Sequence, residues 1–132
     1  MSAVAATPLY AGLLGLMLLA LSYLVSRQRL RNRVSTGDGG IPALAGAIRA
    51  HGNFVEYVPL ALLLILLTEL SGQGQWQVHA LGVALVAGRA LHAYGISTRP
   101  GGKSFGRLWG TLLTWTVILV ASLNLIVGVA MR

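Results

Sequence analysis

From Met1 to Ser26, and again from Leu108 to Met131, the chain carries no charged side chain. Each run is longer than the about 20 apolar residues that cross a ~30 Å hydrocarbon core. In lipid no water is present to pair with backbone N–H and C=O groups, so an apolar run of this kind must be helical. Two further apolar stretches lie between them, and three short polar segments separate the four. Ser35–Pro42 (STGDGGIP) places Asp38 among glycines, which is turn chemistry, and Pro42 can open a helix. Ser71–Gln75 (SGQGQ) and Ser97–Ser104 (STRPGGKS) form the other two loops. The expected fold is an all-α membrane protein: a four-helix up-down bundle in a single domain over residues 1–132, with helices at about 8–33, 41–70, 76–96 and 105–131. Charged residues make up only 10% of the chain, against about 25% in a soluble domain, too few to solvate a water-facing surface.

Where the charges fall sets an orientation. Ten Lys and Arg stand against three acids, Asp38, Glu56 and Glu69, for a formal net charge of +7. Arg27, Arg29, Arg31 and Arg33 follow the first apolar run; a cleaved leader would carry its positive charges before the run, so the helix is expected to be retained. Arg99, Lys103 and Arg107 flank the third loop, and the second loop has no positive charge. The positive-inside rule then puts loops one and three in the cytoplasm and both termini outside, with Arg132 as a minor dissenter. Basic residues that flank apolar runs point to membrane orientation and a bound anion, and nucleic acid is not an expected partner. The chain has no cysteine, so any thiol chemistry needs a thiol supplied by a substrate.

The informative polar residues lie inside the spans. Arg49, Asn53 and Glu56 are spaced by four and three residues, which puts them on one stripe of the second helix, with Tyr57 at its edge. An ionisable group at membrane depth costs about 2.5–3.5 kcal/mol by insertion scales and must be paired or face a polar cavity. The stripe reads either as a structural ladder, with Arg49 bonded to Glu56, or as a binding face. Arg89 and His92 share one face of the third helix, and Arg89 is expected to enter the same polar cluster as Glu56. His92 is either a satisfied interhelical histidine or a ligand. His79 is read as an interface residue. Ala80, Ala84 and Gly88, at four-residue spacing, allow close helix packing. No metal-ligand spacing is evident among His51, His92, Glu56 and Glu69, and arginines surround them. The excess of guanidinium over carboxylate suits a small anion bearing carboxylates and amides. Of the arginines after the first helix, Arg29 and Arg33 share one face and Arg27 and Arg31 the other; they serve as topology anchors, or one face meets lipid phosphate while the other faces a site.

The pattern Arg49-x-x-x-Asn53-x-x-Glu56-Tyr57-x-Pro59 resembles the second-helix signature of the MAPEG family, the membrane-associated proteins of eicosanoid and glutathione metabolism that include microsomal glutathione transferase and leukotriene C synthase. Arg107-Leu-Trp-Gly110-x-x-x-Thr114-Trp115, opening helix four, also resembles the family, and the run Gly37-Asp38-Gly39-Gly40 before Ile48-Arg49-x-His51-Gly52-Asn53 looks like its bacterial, inner-membrane branch. The resemblance implies a homotrimer in the inner membrane, surrounded by membrane lipids, with glutathione as cosubstrate between subunits near the cytoplasmic side. It implies binding roles for Arg29, Arg33, Arg49, His51, Asn53, Glu56, Tyr57, Arg89 and His92. It implies that Arg107 stabilises the glutathione thiolate for attack on a lipophilic small molecule, as a transferase or peroxidase. Arg29 and Arg33 align with the basic end of helix one, and Glu56 suits the γ-glutamyl amino group. A thiol with a pKa near ~8.5 is mostly protonated at neutral pH, and a nearby guanidinium favours its anion. Two alternatives accompany this reading: a small four-helix multidrug exporter, whose essential first-helix carboxylate this chain lacks, and a MAPEG-like protein that binds lipid or another thiol without catalysis.

Overall fold

The structure is a computed structural model and describes residues 4–131; Arg132, with its bearing on orientation, lies outside the described residues. Four helices follow in chain order: α1 (Thr7–Asn32), α2 (Pro42–Leu70), α3 (Gln75–Thr98) and α4 (Phe105–Ala130). All four are long and apolar enough to cross a membrane. The third runs two residues past the expected Ile96, because the backbone of Thr98 stays helical until Arg99 breaks it and its hydroxyl bonds back to the Tyr94 carbonyl at 2.8 Å.

Local chemistry fixes the ends. Pro8 lies in the first turn of α1 and Pro42 opens α2, positions where a missing N–H costs no helical bond. In the first loop Asp38 accepts from the Gly40 N–H through its carboxylate at 2.9 Å, and its carbonyl accepts from the Ile41 N–H at 3.0 Å. Ser104 caps α4, its hydroxyl accepting from the Arg107 N–H at 3.3 Å.

Helices α2 and α3 form the centre of the bundle. Among the described residues α1 packs on α2 and α3, α4 packs on α2 and α3, and α1 and α4 do not meet. The apolar windows of α1 and α4 are therefore only 17% buried, against 39% and 44% for α2 and α3. The core contains Leu14, Phe54, Ile65, Val78, Leu85 and Val117.

The tightest packing joins α3 to α4. A Cβ added to Gly110 would lie 2.5 Å from the Gly88 carbonyl oxygen and 2.6 Å from the His92 nitrogen; one added to Gly106 would lie 2.6 Å from the Leu91 carbonyl oxygen. Gly106-x-x-x-Gly110 is thus a small-residue face against which the α3 backbone lies directly, as close contacts in lipid require. Of the α3 residues expected to mediate such packing, Gly88 sits in this contact, whereas Ala80 is exposed.

At the loop-two end a different device ties α1 down. Ala6, at the N-cap of α1, has no side chain that could cap the helix. The Glu69 carboxylate, at the end of α2, takes that role from across the bundle. It accepts from the N–H groups of Ala5, Ala6 and Thr7 at 2.8, 2.7 and 2.9 Å, and the residue is 3% exposed. The negative charge also meets the positive end of the helix dipole. One turn in, Tyr10 shares a 2.7 Å hydrogen bond with His79, and its ring lies flat on Gly82, where any Cβ would run into it.

Glu69→Ala removes three charge-assisted backbone contacts at once, together with the 3.3 Å bond it accepts from Gln75 Nε2. It is expected to lower unfolding free energy by roughly 2–3 kcal/mol, measured by thermal unfolding in detergent followed by circular dichroism. A loss below about 0.5 kcal/mol would contradict this role.

Candidate functional site

The second-helix stripe divides in two. Arg49 and Glu56 turn outward and form a fork, Nη1 to Oε1 at 3.1 Å and Nη2 to Oε2 at 3.4 Å, with side chains 54% and 51% exposed. Asn53 turns inward and is buried. The polar ladder expected of Arg49 and Glu56 therefore exists within the chain. Arg89 does not join it, and that expectation is corrected.

Arg89 is 2% exposed and bonded to three groups on two other helices. Its Nη1 donates to Asn53 Oδ1 on α2 at 2.6 Å, its Nε to Thr114 Oγ1 on α4 at 2.9 Å, and its Nη2 to the Gly110 carbonyl at 3.2 Å. Thr114 closes the ring by donating to that same carbonyl at 2.9 Å. The guanidinium also lies 5.7 Å from the centre of the Tyr57 ring, within cation–π range. Arg89 is thus held by neutral acceptors and an aromatic face. The reason is geometric: Glu56 points away from the bundle, whereas Asn53 is the polar residue of the stripe that faces α3. His92, one turn along α3, is buried too, packed on the Gly110 backbone.

The outward polar surface lies at the end of the bundle formed by loops one and three. A cavity of about 450 Å³ is bounded by Arg49 and Ala45 from α2, Ile96 from α3, Pro100 in the third loop and Arg107 from α4. Arg107 stands in the first turn of α4, where the free N–H groups and the dipole also favour an anion. On the other side of Arg49 a shallower depression of about 370 Å³ is lined by Arg29, Gly37, Asp38 and Gly52. There Arg29 Nη1 donates to the Gly37 carbonyl at 2.7 Å, pinning the first loop to the end of α1.

Of the sequence-derived site residues, Arg49 and Arg107 are exposed at this end, Arg29 reaches the neighbouring depression, and Glu56 is exposed halfway along α2. Asn53, Arg89 and His92 are buried inside the bundle. Tyr57 bridges the two groups: it lies under Arg89 and also lines, with Glu56, Leu60 and Trp115, a groove of about 450 Å³ between α2 and α4. His51 is half-buried, roughly 160° around α2 from Arg49. Arg33 lines a separate niche with Ser26 and Ser35. Sequence reasoning gave no role to Thr114, Gly110 or Glu69. A hydroxyl one turn beyond a glycine in an uncharged span, and an acid in the last turn of an apolar one, were the available signals.

Four membrane-length helices, three of them joined by a buried arginine node, with an arginine-lined cavity at one end, define a small polytopic membrane protein. The chain belongs to the MAPEG family, whose model matches residues 7–127. It is similar to the inner membrane protein YecN of Escherichia coli K12 and to the protein of the same name from Escherichia coli O6:H1 strain CFT073. Each is 44% identical over 112 residues, covering 85% of this chain and 83% of the relative.

Arg89→Leu is expected to cost roughly 3 kcal/mol or more, because Asn53 and Thr114 are left in an apolar core without their donor. Arg89→Lys should recover only part of this, since one ammonium cannot span acceptors on two helices as a planar fork does. Unfolding by denaturing detergent, followed by circular dichroism, measures both; a wild-type transition in Arg89→Leu would overturn the node.

Proposed function

We propose that the protein binds glutathione as its thiolate in the cavity between Arg49 and Arg107, and transfers it to, or uses it to reduce, a lipophilic electrophile drawn from the membrane. The observation that carries the reading is the convergence of these two guanidiniums and the start of α4 on one cavity of about 450 Å³. Glutathione has two carboxylates, an ammonium and a thiol, so a site for it needs several cations and one anion. The Arg49–Glu56 fork suits the γ-glutamyl end. When the pair opens, Glu56 takes the ammonium and Arg49 the α-carboxylate, so neither charge is left alone. Arg29, in the adjoining depression, extends the cationic surface towards the second carboxylate. Arg107 then faces the thiol, where its charge lowers the free energy of the thiolate over the thiol. In a transfer the thiolate sulfur bonds the electrophilic atom and the leaving group departs with its electron pair; with a hydroperoxide the sulfur bonds the terminal oxygen, the O–O bond breaks, the released alkoxide takes a proton, and a second glutathione condenses with the sulfenic acid to give the disulfide and water.

The outward Arg49–Glu56 pair supports assembly with further copies of this chain, for which the resemblance implies a homotrimer. An ion pair half-exposed on a membrane-length helix is costly against lipid, and a second copy laid over α2 removes that contact and encloses the site. With loops one and three in the cytoplasm, the cavity opens to the compartment where glutathione is plentiful. Asn53, Arg89 and His92 serve as positioning residues in this scheme: they hold α2, α3 and α4 in register and seat Tyr57 beneath the site.

Titrating the purified protein with glutathione and following thiolate ultraviolet absorbance tests the proposal. Wild type should show a saturable thiolate signal at neutral pH. In Arg107→Ala the pH midpoint of that signal should move up by about one pH unit or more, equivalent to ~1.4 kcal/mol. The loss of signal is thus largest near neutrality and recovers in alkali. No saturable, protein-dependent thiolate signal at neutral pH in the wild type would sink the enzyme reading.

A further inference from the structure

Loop three is held down at both ends. The Gly102 N–H donates to the Arg99 carbonyl at 3.1 Å, and Gly101 takes φ 74°. With Pro100 before it, that left-handed glycine makes residues 99–102 a type II turn. The turn presses Pro100 onto α2 at Gly46, which is buried. A Cβ added to Gly46 would lie 3.2 Å from the Pro100 Cβ and 3.4 Å from the Ile96 carbonyl oxygen. The proline ring thus fills the notch that residue 46 leaves by having no side chain.

At its other end the loop rests on α3. A Cβ added to Gly95 would lie 2.5 Å from the Arg107 backbone nitrogen and would run into the Ser104 hydroxyl oxygen. The cap of α4 and the turn that bears Arg107 are therefore seated on bare backbone. Both seats adjoin the Arg49–Arg107 cavity: Gly46 and Pro100 line it, and so does Ile96, the neighbour of Gly95. Gly46 lies about one turn before Arg49, and Ser104 lies about one turn before Arg107. Closing α3 onto α4 calls for Gly95 alone. It does not call for a proline seated in a notch on α2.

Electrostatics gives the second seat a task. Arg107 is exposed and makes no ion pair among the described residues. Arg49 carries the same charge across the cavity, and Glu56 is already forked to it. Attraction within the chain therefore does not hold Arg107 over the cavity. A long side chain on a free loop would have to be ordered each time an anion binds, which weakens binding. Charges that stabilise an anion act best when they are fixed beforehand. The two glycine seats fix the backbone from which Arg107 reaches.

Resting on the glutathione site described above, we propose that Gly46 and Gly95 are positioning residues for Arg107. They clamp loop three between α2 and α3, so that the guanidinium is set against the thiol and does not swing with the loop. Neither has a side chain to offer the thiol; each acts through Arg107. Pro100 is the wedge that transmits the seat on α2 to the loop.

The test uses the full-length protein in detergent with the variants Gly95→Ala, Gly46→Val and Gly128→Ala. A Cβ on Gly128, towards the far end of α4, would meet nothing within 4 Å, so that variant is the control. Hydrogen exchange of amides 99–108 reports the clamp without glutathione. It should be at least about tenfold faster in the two seat variants and unchanged in Gly128→Ala. The pH midpoint of the glutathione thiolate signal should rise by about 0.5 unit or more in the seat variants, roughly a threefold loss of thiolate below the midpoint. S-methylglutathione, which has no thiol, should bind them nearly as it binds wild type. Should Gly95→Ala fail to fold, Gly46→Val decides, since its added methyls meet chiefly a loop proline. A wild-type midpoint in a seat variant would overturn the inference, as would an equal shift in Gly128→Ala. So would affinity for S-methylglutathione lost in step with the thiolate, or unchanged exchange in both seat variants. A wild type without a saturable thiolate signal sinks the glutathione reading and this inference with it, whereas a wild-type signal with unmoved variants sinks this inference alone.

Discussion

The buried guanidinium of Arg89 organises this molecule. Roughly 14 Å from the end of α3 at 1.5 Å per residue, it cannot reach water along the helix, and lipid would penalise it by about 2.5–3.5 kcal/mol. It must therefore find acceptors within the bundle. It finds them on two different helices, Asn53 on α2 and the Thr114–Gly110 pair on α4. In hydrocarbon, apolar side chains give little drive for helices to associate, since lipid tails solvate them as well as protein does. A donor that requires partners on both neighbours supplies what the apolar surface does not: a fixed register for three helices. The glycine contact between α3 and α4 makes the arrangement possible. With a side chain at residue 110 the α4 backbone could not approach closely enough to offer its carbonyl.

The node also determines what is left for chemistry. Because Asn53 is committed to Arg89, Glu56 on the same stripe is turned outward and pairs with Arg49. Tyr57 has one face on the Arg89 guanidinium and lines the α2–α4 groove. Arg49 of the exposed fork, Arg107 at the head of α4 and Arg29 at the foot of α1 then lie towards the same end of the bundle. Glu69 and the Tyr10–His79 pair hold the opposite end closed. One end is built for rigidity and the other presents charge.

Much of this was legible in the chain. Four uncharged or nearly uncharged runs fix the helices, because backbone pairing in lipid admits little else. Asp38 with its glycines, Pro42 and the STRPGGKS segment fix two of the turns. The stripe of Arg49, Asn53 and Glu56 was visible from spacing alone. What spacing could not give is the direction each residue faces: offsets of four and three place three side chains within a narrow sector, and only packing decides that the middle one points inward. The pairing of Arg89 with neutral acceptors was hidden for the same reason, since charge alone suggested Glu56. Glu69 capping a helix far away in sequence is a tertiary contact with no local signature. The left-handed arginine at residue 33 runs against the ordinary preference for glycine, so the sequence pattern placed it inside the helix.

The central claim is that this scaffold presents its arginines to the carboxylates of glutathione. Isothermal titration of the purified protein in detergent, with glutathione and with its dimethyl ester, tests that claim most directly. The account predicts saturable binding of glutathione and binding of the ester weakened by at least about a hundredfold, since blocking both carboxylates removes two charge-assisted pairs. Absence of binding to glutathione, or equal affinity for the two, would contradict it.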